Sequence, residues 1–224
     1  MSGREAVLAK VRAALSAGGD NDARRRLVEE RIAKAAPGII PARGQLDPKA
    51  RTRLFCEMAE AVAATVQRVK GIDKVPAAVA DYLRAKNLPA SVRMGADARL
   101  AAMPWDRQRS LEVKRGPSDG DDEVGVSHAF GGVAETGTLV MHSGGDNPTT
   151  INFLPEHHIV VVNAADIAGD LETDLAAVRK KFGKGKMPRT LNMITGPSRS
   201  GDIEQKLLLG AHGPRALHLI VVDG

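Results

Sequence analysis

Apolar positions along the chain follow two spacings, one typical of helices and one typical of buried strands. They recur at helical spacing over residues 47–62, 74–86 and 171–182, whereas Ile159–Val162 is a continuous apolar run and Leu217–Val222 is apolar except for His218. Such runs are typical of strands covered on both faces. Alternating strands and helices predict an α/β fold, with a largely parallel sheet and helices on both faces. Ligands bind such sheets at the loops that follow the carboxyl ends of the strands.

The N-terminal segment carries fewer apolar positions than the rest of the chain. Ser2 and Glu5 have the spacing of a capping box, and one helix is predicted from there to Gly18, with a second over 22–36. Because both helices are poor in apolar residues, we interpret residues 1–44 as a helical extension that packs loosely on the domain or on a partner.

The domain itself, residues 45–224, is expected to begin with a helix. Asp47 followed by Pro48 is a typical helix start, an N-cap and a first helical position. Further strands are predicted over 65–69, 91–94, 111–113, 124–130, 138–141 and 191–195, and further helices over 97–103 and 202–209.

The composition restricts the class of protein. Aromatic residues make up 3% of the sequence and Cys56 is its one cysteine, so we expect an aliphatic core without an internal disulfide. Cys56 lies beside an apolar helical face and is interpreted as a packing residue. The apolar runs are too short to span a membrane, and the first residues lack the apolar segment of a signal peptide. These features predict a soluble, cytoplasmic protein.

The net charge of +5 is distributed unevenly. Residues 1–120 hold 23 Lys and Arg against 14 Asp and Glu, whereas residues 121–224 hold 9 against 13. The basic residues are spread over several elements without a set of aromatic side chains for base stacking, which argues against nucleic-acid binding. We interpret them as solvated helix faces, or as a surface on which a partner docks.

Three glycine-containing loops of the C-terminal half are the candidates for chemistry. In the first, residues 131–138, glycines flank one carboxylate between two β segments. We expect Glu135 at a strand end, partly buried, as a catalytic nucleophile, a general base or a substrate clamp. Alternatively, it ties down the hairpin or pairs with Arg199. The other candidate ligand-binding residues of this loop are Thr136, Gly137, which permits a tight reversal, and Thr138.

The second loop, residues 195–204, leads from a strand end through glycines and small hydroxyl groups. Its free N–H groups, hydroxyls and guanidinium suit a carboxylate or a phosphate, although it lacks the ending of a P-loop. We expect Glu135 and Arg199 to share one pocket, which small 2-hydroxy or 2-keto acids reach. The candidate ligand-binding residues are Gly196, Ser198, Arg199, Ser200 and Asp202, of which Ser200 or Asp202 alternatively caps the next helix.

The third loop, residues 210–214, contains His212, a candidate catalytic acid–base group that alternatively caps a helix C-terminus. His157 and His158 are adjacent, so their side chains should point to opposite faces of a strand. No spacing of His, Cys, Asp or Glu indicates a metal site, and none is predicted. Two further histidines flank the first loop, His128 and His142.

The chain resembles the lactate-utilization protein C family, whose defining unit is the LUD domain, in the stretches GVAETGTLV, LPEHHIVVV and ITGPSRSGDIEQKLLLGAHGPRALHLIVV. The resemblance runs from about Val124 to Val222 and extends back toward Leu46, and the last stretch is the most specific. It implies a fold of the sugar-phosphate isomerase and CoA-transferase-like superfamily, in agreement with the alternating strands and helices.

The resemblance also implies a role in a three-component bacterial system that oxidises L-lactate to pyruvate, whose other components carry iron–sulfur clusters. One cysteine cannot ligate such a cluster, which takes four thiolates, and the sequence has no dinucleotide fingerprint. We therefore expect this chain to bind no cofactor alone. It would act in a complex in which iron–sulfur lactate-utilization proteins supply the redox centre and this chain supplies structure, substrate binding or regulation.

Two alternatives stand beside this interpretation. Some relatives in the superfamily use a glutamate to form an acyl intermediate, and Glu135 in the sequence Glu-Thr-Gly resembles that setting. This favours a stand-alone enzyme with an acyl, CoA-linked or phosphate-bearing substrate. The other alternative is a sensor that binds a small anion without turnover.

Overall fold

The structure is a computed structural model, and it describes residues 2–16, 21–34, 36–201 and 208–224. The chain separates into two compact units, Met1–Ile39 and Ile40–Gly224. In the first unit, α1 spans Gly3–Ser16 and α2 spans Asn21–Lys34. The domain bounds derived from the sequence, 1–44 and 45–224, stay a prediction.

The capping box at the start of α1 is formed as the sequence predicts. The Ser2 amide donates to Glu5 Oε2 at 2.6 Å, and the Glu5 amide donates to Ser2 Oγ at 3.3 Å. Two backbone donors at the helix start are thereby satisfied within one turn.

In the second unit, strands alternate with helices. The helices are α3 (Pro48–Ala61), α4 (Val75–Ala85), α5 (Ala98–Ala101), α6 (Thr149–Phe153) and α7 (Leu171–Phe182). The strands are β1 (Thr65–Lys70), β2 (Ser91–Met94), β3 (Glu112–Arg115), β4 (Val124–His128), β5 (Gly131–Val133), β6 (Thr138–His142), β7 (His157–Asn163), β8 (Ile167–Ala168), β9 (Leu191–Ile194), β10 (Arg199–Ser200), β11 (Leu208–Leu209) and β12 (Ala216–Asp223). Short 3₁₀ helices span Ala42–Gly44, Ile72–Lys74, Trp105–Arg107 and Ala164–Asp166.

The main sheet has six strands in the order β1-β12-β7-β4-β2-β3, and every neighbouring pair is parallel. The neighbouring strands β7 and β12 contain Ile159–Val162 and Leu217–Val222, and every residue of both segments is buried. The predicted α/β class with a largely parallel sheet is confirmed.

Each face of the main sheet has its own apolar core. On one face, α4 and α5 pack against alternate residues of the strands, among them Ile159 and Ile220. On the other face, Phe55 and Ala59 of α3 pack against Val160 and its neighbours. Helices therefore cover both faces, as the alternation of apolar positions predicts.

A second, four-stranded sheet lies in the core beneath α3, in the order β8-β5-β6-β9. The pairs β5–β6 and β6–β9 are antiparallel. The sequence patterns did not separate these strands from the main sheet. A tight turn joins β5 to β6, so these two strands pair in antiparallel orientation. A parallel pair, as in the main sheet, needs a long crossover connection.

The predicted helix over 202–209 is wrong at its last two residues, and residues 202–207 lie outside the described residues. Leu208–Leu209 form β11, which pairs with Arg199–Ser200 in antiparallel register, Arg199 opposite Leu209. Pairing with a neighbouring strand decides the conformation here, and helical spacing does not reveal it.

The helix start predicted at Asp47 is confirmed. Asp47 Oδ1 accepts from the amides of Lys49 and Ala50, both at 3.0 Å, and Pro48 occupies the first turn. Among the described helices, none is both long enough and apolar enough to cross a membrane.

Candidate functional site

The first loop turns tightly between β5 and β6 against helix α3. Gly137 has a φ of 67°, in the left-handed region that favours glycine. A Cβ at this position would lie 2.4 Å from the Ala59 amide nitrogen. Glycine is therefore required at Gly137 both by backbone conformation and by the close approach of α3.

Glu135 is buried and holds this loop to the start of α7. Its Oε1 accepts from the Leu171 amide at 3.3 Å, and its own amide donates to the Gly169 carbonyl at 3.2 Å. The Arg43 guanidinium donates to the Glu135 carbonyl oxygen. These contacts match the interpretation in which Glu135 ties down the hairpin, while its catalytic role stays a prediction.

Hydroxyl groups connect the first loop to the second. Thr136 and Thr138 share a hydrogen bond of 2.7 Å between their Oγ1 atoms, and Thr138 Oγ1 lies 2.7 Å from Thr195 Oγ1. Thr195 directly precedes Gly196 at the end of β9. Thr138 is therefore hydrogen-bonded to the first residue of the second loop. It does not line the cavity that is described below.

The second loop is fixed to the end of helix α3. Gly196 has a φ of 76°, and a Cβ there would lie 2.4 Å from the Val62 carbonyl oxygen. Arg199, which is exposed, donates to the same carbonyl from its guanidinium. Ser200 is buried in β10. Asp202, the last predicted ligand-binding residue of the loop, lies outside the described residues.

The structure brings the second and third loops together. Ser198 donates its amide to Pro214 O at 2.8 Å and accepts from Gly210 N at 3.0 Å. The His212 amide donates to Ser198 Oγ at 3.3 Å. His212 follows the short strand β11, so its alternative interpretation as a helix C-cap does not fit the described residues around it.

These two loops line a cavity of about 270 Å³. Its polar side chains come from the candidate residues and from the strand ends, and its apolar walls come from neighbouring elements. The lining residues include Asn152, Phe153, His158, Met193, Thr195, Gly196, Ser198, Arg199, His212, Pro214 and Leu217. Glu135 is not one of them, so this cavity is not a pocket that Glu135 shares with Arg199.

A buried polar chain lies at the base of this cavity. His158 Nε2 is 3.1 Å from Ser127 Oγ, which donates to Asn152 Oδ1 at 2.8 Å. Within the described part of the chain, His158 Nδ1 has no hydrogen-bond partner. Burial lowers the pKa of His158 to about 3, so this imidazole is neutral, whereas Arg199 brings a guanidinium to the cavity.

Sequence reasoning singled out His212 and treated His158 as a weaker candidate. His157 and His158 do point to opposite faces of β7, as expected, because His157 hydrogen-bonds Tyr82 on one face and His158 meets Ser127 on the other. The signal for Ser127 and Asn152 is absent from the local sequence, since 25 residues separate them along the chain.

Cys56 does not have the properties of a reactive or metal-binding thiol. It is half-buried, packed beside the core under α3, and burial raises the pKa of its thiol to about 11. Over residues 2–16, 21–34, 36–201 and 208–224, no group of three or more His, Cys, Asp or Glu side chains is placed to hold a metal ion.

The fold is that of an α/β protein with a ligand-type pocket beside His158 and Leu217. These residues lie near the amino ends of β7 and β12, so the pocket is not at the carboxyl ends of the parallel strands, where the sequence analysis expected a ligand. Residues 118–222 match the model of the LUD domain family, which agrees with the resemblance found in the sequence. This segment, slightly less than half of the chain, is therefore similar to the LUD domain.

Similar proteins extend over part of the chain. Lactate utilization protein C of Geobacillus sp. (strain WCH70) is 36% identical over 102 residues, 45% of this chain and 42% of that protein. Lactate utilization protein C of Bacillus subtilis (strain 168) is 32% identical over 122 residues, 53% of this chain and 50% of that protein. The chain thus spans about half the length of the curated relatives it matches.

The fold is also that of a solved structure. The crystal structure of a DUF162 family protein from Deinococcus radiodurans superposes with a TM-score of 0.60 over 79% of this chain and 99% of that chain, at 21% identity. This likeness concerns the fold.

Proposed function

We propose that this chain takes part in lactate utilization and binds a small carboxylate in the cavity of the second and third loops. Relatives named lactate utilization protein C support the pathway. The single observation that carries the binding site is that Arg199, Ser198 and His212, from two loops, line one cavity.

The cavity has the chemistry to hold a short 2-hydroxy or 2-oxo acid. A guanidinium carries five N–H donors, so its bond to the Val62 carbonyl leaves donors for a carboxylate. The hydroxyl of Ser198 and the imidazole of His212 supply further hydrogen-bonding groups, and Met193 and Leu217 supply an apolar wall for a methyl group. A pocket with few polar groups among apolar walls is typical of a small-molecule site.

The chain is proposed to act with iron–sulfur partner proteins, because oxidation of a 2-hydroxy acid needs an electron acceptor. Its own residues do not fit a cluster, since the one thiol, Cys56, is half-buried and held in its protonated form, and a cluster takes four thiolates. The clusters would therefore belong to the partners, and this chain would bind the substrate or regulate access to it.

Thermal unfolding of the full chain with L-lactate, pyruvate or inorganic phosphate tests the binding site. A ligand at about 100 times its dissociation constant stabilises by about 2.7 kcal/mol, which for a chain of this size is a rise of several degrees in Tm. We expect the rise with L-lactate or pyruvate and its loss in Arg199→Gln.

Arg179→Gln is the matched control, because Arg179 is an exposed arginine of α7 that does not line the cavity. It should keep the full rise. A rise in Tm with phosphate alone would indicate that the ligand is a phosphate-bearing compound and not a carboxylate. No rise with any of the three compounds would refute small-anion binding in this cavity.

A further inference from the structure

A second cavity, of about 310 Å³, is lined by two ionisable side chains, each with a buried atom that has no hydrogen-bond partner among the described residues. It lies between α3, the segment around β8 and the first turns of α7. Asp174 Oδ2 and Arg51 Nε are both buried without a partner in the described part of the chain. None of the candidate residues discussed above lines this cavity.

Asp174 is 3% exposed and lies in the first turn of α7. Its carboxyl packs directly on the backbone of Gly131, where a Cβ would lie 2.4 Å from Asp174 Oδ1. Burial and the neighbouring carboxylates of Asp166 and Asp170 raise the pKa of Asp174 to about 7. A buried carboxyl without a partner is stable only when it is protonated or when a cation lies beside it.

The other components of the cavity set the charge of a ligand that would fit it. Arg51, half-buried on α3, provides one guanidinium. Asp166 provides a second carboxylate at the cavity, which accepts from Asn163 Nδ2 at 2.8 Å. The remaining walls are mostly apolar and include Phe130, Ile167 and Ala177. The cavity thus presents one cationic group, two carboxyl groups and an apolar surface.

A simple anion would meet Arg51 but also the two carboxyl groups, and a simple cation would leave Arg51 unpaired. A zwitterion satisfies both, because a guanidinium binds a carboxylate through two parallel hydrogen bonds and a carboxylate accepts from an ammonium. We propose that this cavity binds a small α-amino acid, with its carboxylate on Arg51 and its ammonium at Asp174 and Asp166.

The size of the cavity suits such a ligand. A cavity of about 150 Å³ is enough to hold benzene, and alanine is no larger than benzene. The short side chain of the amino acid would pack on the apolar wall at Ile167 and Ala177. The site goes beyond the proposed function, since it uses a different cavity and different residues.

Calorimetric titration of the full chain with four matched probes tests the proposal. L-Alanine carries both charges, L-lactate replaces the ammonium by a hydroxyl, propionate lacks the ammonium, and ethylamine lacks the carboxylate. We expect L-alanine to bind and each of the other three to bind at least about tenfold more weakly at this cavity, because each loses a charge-assisted hydrogen bond.

The variants Arg51→Gln and Asp174→Asn should each weaken L-alanine binding by about tenfold or more. Their matched controls are Arg53→Gln, an exposed arginine on the same helix, and Glu172→Gln in the same turn of α7, and both should bind L-alanine like the wild type. Asparagine is isosteric with aspartate, so Asp174→Asn should keep the fold, and circular dichroism checks this.

The proposal is overturned if L-alanine gives no binding heat at millimolar concentration. It is also overturned if L-alanine binding survives both variants, or if L-lactate binds as tightly in an Arg51-dependent manner. Lactate binding that is lost in Arg199→Gln and kept in Arg51→Gln would occur in the first cavity and would support the proposed function. The lactate site and the amino-acid site can therefore be refuted independently of each other.

Discussion

At Gly137 a single residue meets two geometric demands at once. Its φ of 67° disfavours a side chain, and a Cβ would lie 2.4 Å from the Ala59 amide nitrogen. We expect Gly137→Ala to lower the free energy of unfolding by about 3 kcal/mol or more, because the backbone cost of about 1–2 kcal/mol is joined by a clash with α3. Urea unfolding measures the loss.

Gly185→Ala is the control that separates these two costs. Gly185 has a similar φ, of 72°, but a Cβ there would meet nothing within 4 Å. It should lose only about 1–2 kcal/mol. Equal losses in both variants would mean that the approach of α3 contributes nothing at Gly137.

For a single residue, the sequence predicts the backbone conformation better than it predicts which distant residues that residue contacts. Gly137 is recognised as a reversal from its place between two β segments. Its contact with Ala59 is not recognisable, since it depends on how α3 packs over the hairpin. The same holds for Glu135, whose contacts with Leu171 and Arg43 come from distant parts of the chain.

At the scale of elements, Asp170 is a buried N-cap that connects three segments. It accepts from the Thr173 amide at 2.8 Å, the Thr173 hydroxyl at 2.9 Å and Gln45 Nε2 at 2.9 Å. We expect Asp170→Ala to lower the free energy of unfolding by about 2 kcal/mol, the upper end for a lost cap, because it also removes the bonds from the Thr173 hydroxyl and from Gln45. Chemical denaturation measures the change.

The exposed cap of α3 gives the comparison. Asp47→Ala removes only bonds to the amides of Lys49 and Ala50, so about 1 kcal/mol is expected. If Asp170→Ala costs no more than Asp47→Ala, the bonds to Gln45 and the Thr173 hydroxyl do not stabilise the fold.

Elements set by local signals are predicted well from the sequence, and elements set by pairing are not. The cap at Asp47 and the apolar run Ile159–Val162 are local, and the structure confirms both. The pairing of Leu208–Leu209 with Arg199–Ser200 is missed, because each strand has two residues and forms only against the other. The second cavity is missed for a similar reason, since tertiary packing brings Arg51 of α3 and Asp174 of α7 to the same cavity.

For the whole molecule, buried neutral histidines predict a loss of stability in mild acid. Burial lowers the pKa of His158 to about 3, and burial together with Lys86 lowers the pKa of His218 to about 4. Both groups bind a proton near pH 6.5 only in the unfolded chain. Their contribution to stability is therefore complete above about pH 6.5 and falls as the pH drops toward the folded values.

Asp174 acts in the opposite direction over the same range. Its raised pKa, about 7, means that the folded state holds a proton that the unfolded state has lost above about pH 4. Its stabilising effect is therefore lost as the pH rises toward 7. Burial would raise the pKa of Asp170, but its hydrogen bonds outweigh burial and lower it. Asp170 therefore binds a proton only below about pH 4 and does not affect stability between pH 5 and 6.5.

These opposing titrations make a quantitative test possible with one variant. Each group contributes up to about 1.4 kcal/mol per pH unit. Urea unfolding at constant ionic strength measures the loss between pH 6.5 and 5 in both proteins. In Asp174→Asn the opposing group is absent, so the loss should exceed that of the wild type by about 2 kcal/mol. Equal slopes in the two proteins would show that the pKa of Asp174 is not raised in the folded state.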